Sequence, residues 1–333
     1  MRYEQLRQSG CRRKQNMSLD VQLRQCHEYR IQGGYGARGF FAPADIVLLS
    51  AVVEKYHYEK DFISSIESDA ESYLRTIGVY EKLWGMTDNW QRPNKGNRYA
   101  TLAKLETPYA VNAANNQLKS CINSNLPHDI PPASKTALNH VIGELHDNVW
   151  SHGKSTGFSM AQYYGKRKSI EFAVADLGGG FLSVLQNAGI DAESHTAAIH
   201  WCLQEGNSSV KEKQKRMKHD DFIQSLPDDF IGNPMGNSAL HREENHHQGF
   251  GLAELVKLVK NHHGELEIAS GDTVYSIDRT GHEDSVQQAV WTWPGVIISC
   301  RLYLDGLGKT AGDAENNDVN QILEIISGGF RYE

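Results

Sequence analysis

The sequence predicts an α+β chain, and three observations predict it. In residues 134–153, apolar Leu138, Val141, Ile142, Leu145 and Val149 recur at helical spacing and form one stripe. After Gly153 the period drops to two: Ile170, Phe172 and Val174 alternate in one run, and Val296, Ile298, Cys300, Leu302 and Leu304 alternate in another. Between these runs lies a second amphipathic helix, residues 252–262, with Leu252, Leu255, Val256 and Val259 on its stripe.

Taken in order, residues 1–18 are polar and basic and read as a mobile N-terminus. Arg2, Arg7, Arg12, Arg13 and Lys14 have no apolar segment behind them, so the stretch is not a secretory signal. Residues 19–97 read as a small α/β module: Pro43 opens a helix that runs to Tyr56, residues 62–66 a short strand, and residues 70–77 a helix stopped by Gly78. Breakers at Gly85, Pro93 and Gly96 mark a junction. Beyond it, residues 98–105 read as a strand and 112–121 as a helix, and Pro131-Pro132 precedes the long helix. Residues 156–164 and 169–175 are two strands joined by the polar turn Gly165-Lys166-Arg167-Lys168. Residues 181–188 and 196–202 are short helices. The pattern dissolves over 205–248, where Lys211, Lys213, Lys215, Arg216 and Lys218 precede Asp220, Asp221, Asp228 and Asp229. Strand patterns resume at Leu266 and at Val274, and residues 310–333 form a tail.

The long helix carries the chemistry. Glu144, Asn148 and His152 lie four residues apart, on one face distinct from the apolar stripe. An amide oxygen is a hard ligand suited to Mg²⁺, and a carboxylate can take a proton from water. Asp176-Leu177-Gly178-Gly179-Gly180 ends a strand, and Gly249-Phe250-Gly251-Leu252 opens a helix. A carboxylate at a strand end is a strong, directional acceptor, and glycines let the backbone pass close to a ligand. Glycines at a helix start admit phosphate oxygens to free N–H groups.

These three motifs, in this order, resemble the GHKL family of ATP-binding proteins (gyrase-type, chaperone-type, histidine-kinase and MutL-type). Glu144 and Asn148 resemble its N-box; Asp176, Gly178 and Gly180 its first glycine box; Gly249, Gly251 and Leu252 its second. The His152-Gly153 pair is most similar to bacterial anti-sigma-factor serine kinases. The resemblance covers roughly residues 135–304. It implies a two-layer α/β sandwich of the GHKL (Bergerat) type, a mixed sheet covered on one face, as an ATP-binding domain over 98–309 with its ATP lid at about 205–248. The 19–97 module faintly resembles STAS-like modules that accompany such domains.

The same resemblance implies ATP and Mg²⁺ as ligands. Asn148 would ligate Mg²⁺, Glu144 would activate water or a protein hydroxyl, and Asp176 would read adenine. Gly178 and Gly180 would pass the base, while Gly249, Gly251 and Leu252 would form the phosphate end. His152 would either contact phosphate or cap the helix. One position departs from the pattern. Members of the family often carry threonine where this chain has Val296, after Gly295, so one adenine contact is in doubt.

Three functional readings follow: an ATPase that uses lid closure as a regulatory switch, an anti-sigma-type protein serine kinase, and a non-hydrolysing nucleotide-gated interaction module. A histidine-kinase role is disfavoured because neither His128 nor His140 sits on a long dimerisation helix. A protein partner is expected at the N-terminal module or the lid, and a homodimer stays open.

The bulk numbers bound these readings. The chain has 333 residues, 39% hydrophobic, with a net charge of −7, which argues against nucleic acid as partner. No apolar run is long enough to cross a bilayer. The 5 cysteines, Cys11, Cys26, Cys121, Cys202 and Cys300, are scattered without CxxC spacing, as expected of reduced thiols in the cytoplasm. His241, His246 and His247 lack partner ligands at metal spacing. Gly308-Lys309-Thr310 mimics the end of a P-loop, but Tyr303 stands where the earlier glycine is required.

Overall fold

The clean alternation of residues 169–176 builds the centre of the molecule. The computed structural model describes residues 41–60, 68–87, 89–153, 155–207, 251–287 and 292–307. Seven strands form one sheet: β1 (Tyr99–Leu105), β2 (Gly157–Tyr164), β3 (Ser169–Asp176), β4 (Glu265–Gly271), β5 (Thr273–Ile277), β6 (Glu283–Gln287) and β7 (Trp293–Tyr303), in the order β1-β2-β3-β7-β4-β5-β6. The helices are α1 (Pro43–Tyr56), α2 (Ser68–Thr76), α3 (Val79–Trp84), α4 (Pro108–Asn123), α5 (Pro132–Gly153), α6 (Gly180–Asn187), α7 (His195–Leu203), α8 (Gly251–Asn261) and α9 (Leu304–Leu307). The chain is thus of the α+β class.

Where a mixed sheet was expected, every described strand pairing is antiparallel. The reason is topological. The β2–β3 and β4–β5 hairpins are antiparallel by their short connections. β3 and β4, which run in the same direction, are kept apart because β7 inserts between them. β6 was not anticipated: Glu-Asp-Ser-Val-Gln carries little strand signal, and its pairing with β5 supplies the structure.

On one face, Ile170, Phe172 and Val174 of β3, Leu266 and Ile268 of β4, and Ile298, Cys300 and Leu302 of β7 pack against α4, α5 and α8. Leu138, Val141, Ile142, Leu145 and Val149 of α5 are all buried there, as the helical period requires. The opposite face is also covered, in contrast to the single covered face expected. α1 is apolar nearly all round, and its Ile46, Val47 and Val52 pack with Phe158, Met160, Ala173, Ala175 and Ile297. Leu74, Ile77 and Val79 join the same cluster. Both faces of β3 are therefore buried, with Ile170, Phe172 and Val174 in one cluster and Ala173 and Ala175 in the other. Residues 41–60 and 68–87 are helical; the strand expected at 62–66 lies outside the described residues, as do residues 1–40 and 308–333.

Candidate functional site

The helix period aims the polar face of α5 at α8. Glu144 is 8% exposed, and its Oε2 accepts from the Gly251 N–H, the first residue of α8, at 3.2 Å. The two helices cross closely there: a Cβ on Gly251 would stand 2.7 Å from Glu144 Oε2 and 2.8 Å from Glu144 Cβ. Glycine at this position is thus required by the helix crossing itself. Asn148 follows one turn later and lines a cavity together with Glu144, Leu145 and Val149. One turn before Glu144, His140 Nδ1 meets Glu254 Oε2 of α8 at 2.9 Å. That hydrogen bond, above all, raises the His140 pKa from 6.5 against the opposing effect of burial. The other Glu254 oxygen is buried with no hydrogen-bond partner among the described residues.

Asp176 ends β3 on the cavity floor. Its Oδ1 accepts from the Gly178 N–H at 2.7 Å and its Oδ2 from the Val296 N–H at 3.2 Å. The Trp293 indole donates to the Asp176 carbonyl at 3.1 Å. Burial pushes the carboxyl up from 3.8 to about 6, and the two backbone bonds pull it only part of the way back. Gly295 passes so close that a Cβ would lie 2.1 Å from the Asp176 carbonyl oxygen, so β7 reaches the carboxylate only with glycine there. Gly180 adopts φ +69°, a left-handed turn into α6 that a side chain would strain, and a Cβ there would stand 2.8 Å from both Pro294 O and Ser270 Oγ. Ser270 Oγ bonds both the Phe181 N–H at 3.1 Å and Gly295 O at 3.1 Å, which locks the glycine turn onto the sheet.

One cavity of about 130 Å³ joins these parts. A cavity of this size takes no more than one flat ring system, so the rest of any larger ligand would extend beyond it. Its walls include Val174, Ile298 and Val296 from the sheet, Phe181, Val184 and Leu185 from α6, and Trp201 and Cys202 from α7. Polar groups are few: Glu144, Asn148, Ser155, Asp176 and Asn207, the usual make-up of a small-molecule site. Burial pushes the Cys202 thiol up to about 12, so it is an inert wall.

Of the residues expected at the site, Glu144, Asn148, Asp176, Gly178, Gly180, Gly251 and Leu252 all line this cavity, although they span more than a hundred positions of sequence. Gly249 lies outside the described residues, as does all but residues 205–207 of the segment expected to be the lid. His152 is in the last turn of α5, but its side chain lies outside the described residues. Sequence reasoning missed Ser155, Trp201, Cys202 and Asn207. Ser155 had a faint signal, a hydroxyl just past the helix-ending glycine; the α7 residues had none, because their spacing reports a helix and not which wall it forms.

No family model, curated protein or solved structure matches the chain. No helix among the described residues is long and apolar enough to cross a membrane.

Proposed function

We propose that the chain is a GHKL-type Mg·ATP-binding protein that hydrolyses ATP and uses nucleotide binding as a switch. The observation that carries this reading is the set of polar groups gathered in this largely apolar cavity. A carboxylate held by two backbone amides lines it together with a second carboxylate, an amide and a helix N-terminus. Asp176, mostly ionised at neutral pH, accepts from the exocyclic amino group of adenine. The apolar walls, Val174, Ile298 and Phe181, take the faces of the ring. The N-terminus of α8 faces the phosphates. Asn148 and Glu144 are oxygen donors of the kind Mg²⁺ takes, so the donor set fits, and Asn148 would hold the ion. The ion would neutralise charge on the phosphates. Glu144 accepts a proton from the attacking water once its carboxylate is released from the Gly251 amide.

That last contact also favours a second reading. A carboxylate bonded to the amide of α8 does not yet orient a water, which suits a non-hydrolysing, nucleotide-gated module. Phosphate release from Mg·ATP, alongside calorimetric ATP binding, separates the two for wild type, Glu144→Gln and Asn148→Ala. Turnover lost in both variants supports the ATPase. Tight binding that needs Asn148, without turnover, supports the module. Binding and turnover unchanged in both variants refute the site.

A further inference from the structure

The cavity floor holds a second polar atom that the reading above leaves unused. Ser155 lies between the end of α5 and the start of β2 and lines the cavity beside Asp176. A Cβ built on Gly178 would stand 2.9 Å from Asp176 Oδ1 and 3.2 Å from Ser155 Oγ, so the two oxygens flank one point and are at most about 6 Å apart. That span reaches two neighbouring atoms on the edge of one flat ring. Glycine at 178 keeps a Cβ from crowding either oxygen, and both residues line the cavity.

The two groups are complementary in kind. Asp176 uses one lone pair of each oxygen on a backbone amide, and an ionised carboxylate offers about four acceptor sites. It can therefore accept further but cannot donate. The Ser155 hydroxyl donates to Val149 O at 3.4 Å, the long limit of a hydrogen bond, so its proton is loosely engaged. An acceptor beside a donor matches adenine, whose amino group donates next to a ring nitrogen, N1, that accepts. Guanine presents the reverse order, a carbonyl acceptor beside an N–H donor, and would set its carbonyl against the carboxylate. Val296, on the same wall, offers no side-chain polar atom.

We infer that Ser155 is a specificity-determining residue of this site: its hydroxyl donates to N1 of an adenine whose amino group is accepted by Asp176. This rests on the nucleotide-binding reading. It assigns to the α5–β2 junction the hydroxyl contact that β7 lacks at Val296.

The test is equilibrium binding of ATP, GTP and 1-deaza-ATP, in which a C–H replaces N1, to the full chain at neutral pH. Wild type should bind ATP about 5–10-fold more tightly than 1-deaza-ATP, the effect of one hydrogen bond. Ser155→Ala should bind the two alike, at the wild-type affinity for 1-deaza-ATP, and Ser155→Thr should restore the difference. A purely structural role for Ser155 would weaken both ligands equally and preserve the ratio, which overturns the inference. Wild type that binds ATP and 1-deaza-ATP alike overturns it too, whatever the variants do. Failure of the wild type to bind any of the three overturns the nucleotide reading together with the inference; binding that ignores N1 overturns only the role of Ser155.

Discussion

Replacing Asp176 with asparagine should stabilise the fold at neutral pH while weakening the site. The carboxyl is pushed up from 3.8 to about 6 by burial, so holding it ionised above pH 6 costs roughly 3 kcal/mol. The cavity opens on one side of the residue, and solvent there reduces that figure. Asparagine carries no charge, but its amide nitrogen cannot accept, so one of the two backbone bonds is lost at about 1 kcal/mol. The net expectation is a gain of about 1–2 kcal/mol at pH 7.5.

The sign with pH follows from a folded pKa above the unfolded one. The contribution of Asp176 to wild-type stability is full below 3.8 and is lost as pH rises through about 6, so the advantage of Asp176→Asn should vanish near pH 4. His146 acts in the opposite sense. Burial lowers its pKa from 6.5 to about 3, so its contribution is full above 6.5 and is lost as pH falls. Comparing variant with wild type at each pH cancels the histidine. Urea denaturation at pH 4 and 7.5 supplies the numbers. A stability difference independent of pH would refute the claim that a desolvated charge sits at Asp176.

Gly251→Ala should destabilise by about 1–3 kcal/mol, because the added methyl meets Glu144 at under 3 Å where two helices cross; denaturant unfolding at wild-type stability would contradict this. His146→Ala should lose roughly 2–4 kcal/mol, since Asn115 and Ser159, each 2.7 Å from a ring nitrogen, are left unpaired around a cavity. In the wild type, the His146 ring signals should stay unprotonated by NMR down to about pH 4. Val296→Thr should tighten ATP binding several-fold in calorimetry, because it adds a hydroxyl to the wall whose N–H already holds Asp176; unchanged affinity would show that the base lies elsewhere.

Local pattern was enough to read most of the elements, though not β6, and the order of the polar residues. The stripe from Leu138 to Val149 and the alternation from Ile170 to Val174 are each written in one short stretch of chain, and burial follows them directly. Glu144, Asn148, Asp176 and Gly251 were legible as candidates for the same reason: each sits at a characteristic place on its own element. Tertiary structure alone decided what each group faces. Val296 lies 120 residues from the carboxylate it holds, and Gly251 lies 107 residues from the Glu144 oxygen it bonds. The insertion of β7 between β3 and β4, the covering of the back face by α1, and the meeting of Ser155 and Asp176 on one cavity wall have no short-range signal. Helical and strand periods report only which side of an element is apolar. Which two polar sides meet is set by crossings and sheet order, where chain segments distant in sequence compete for the same buried surface.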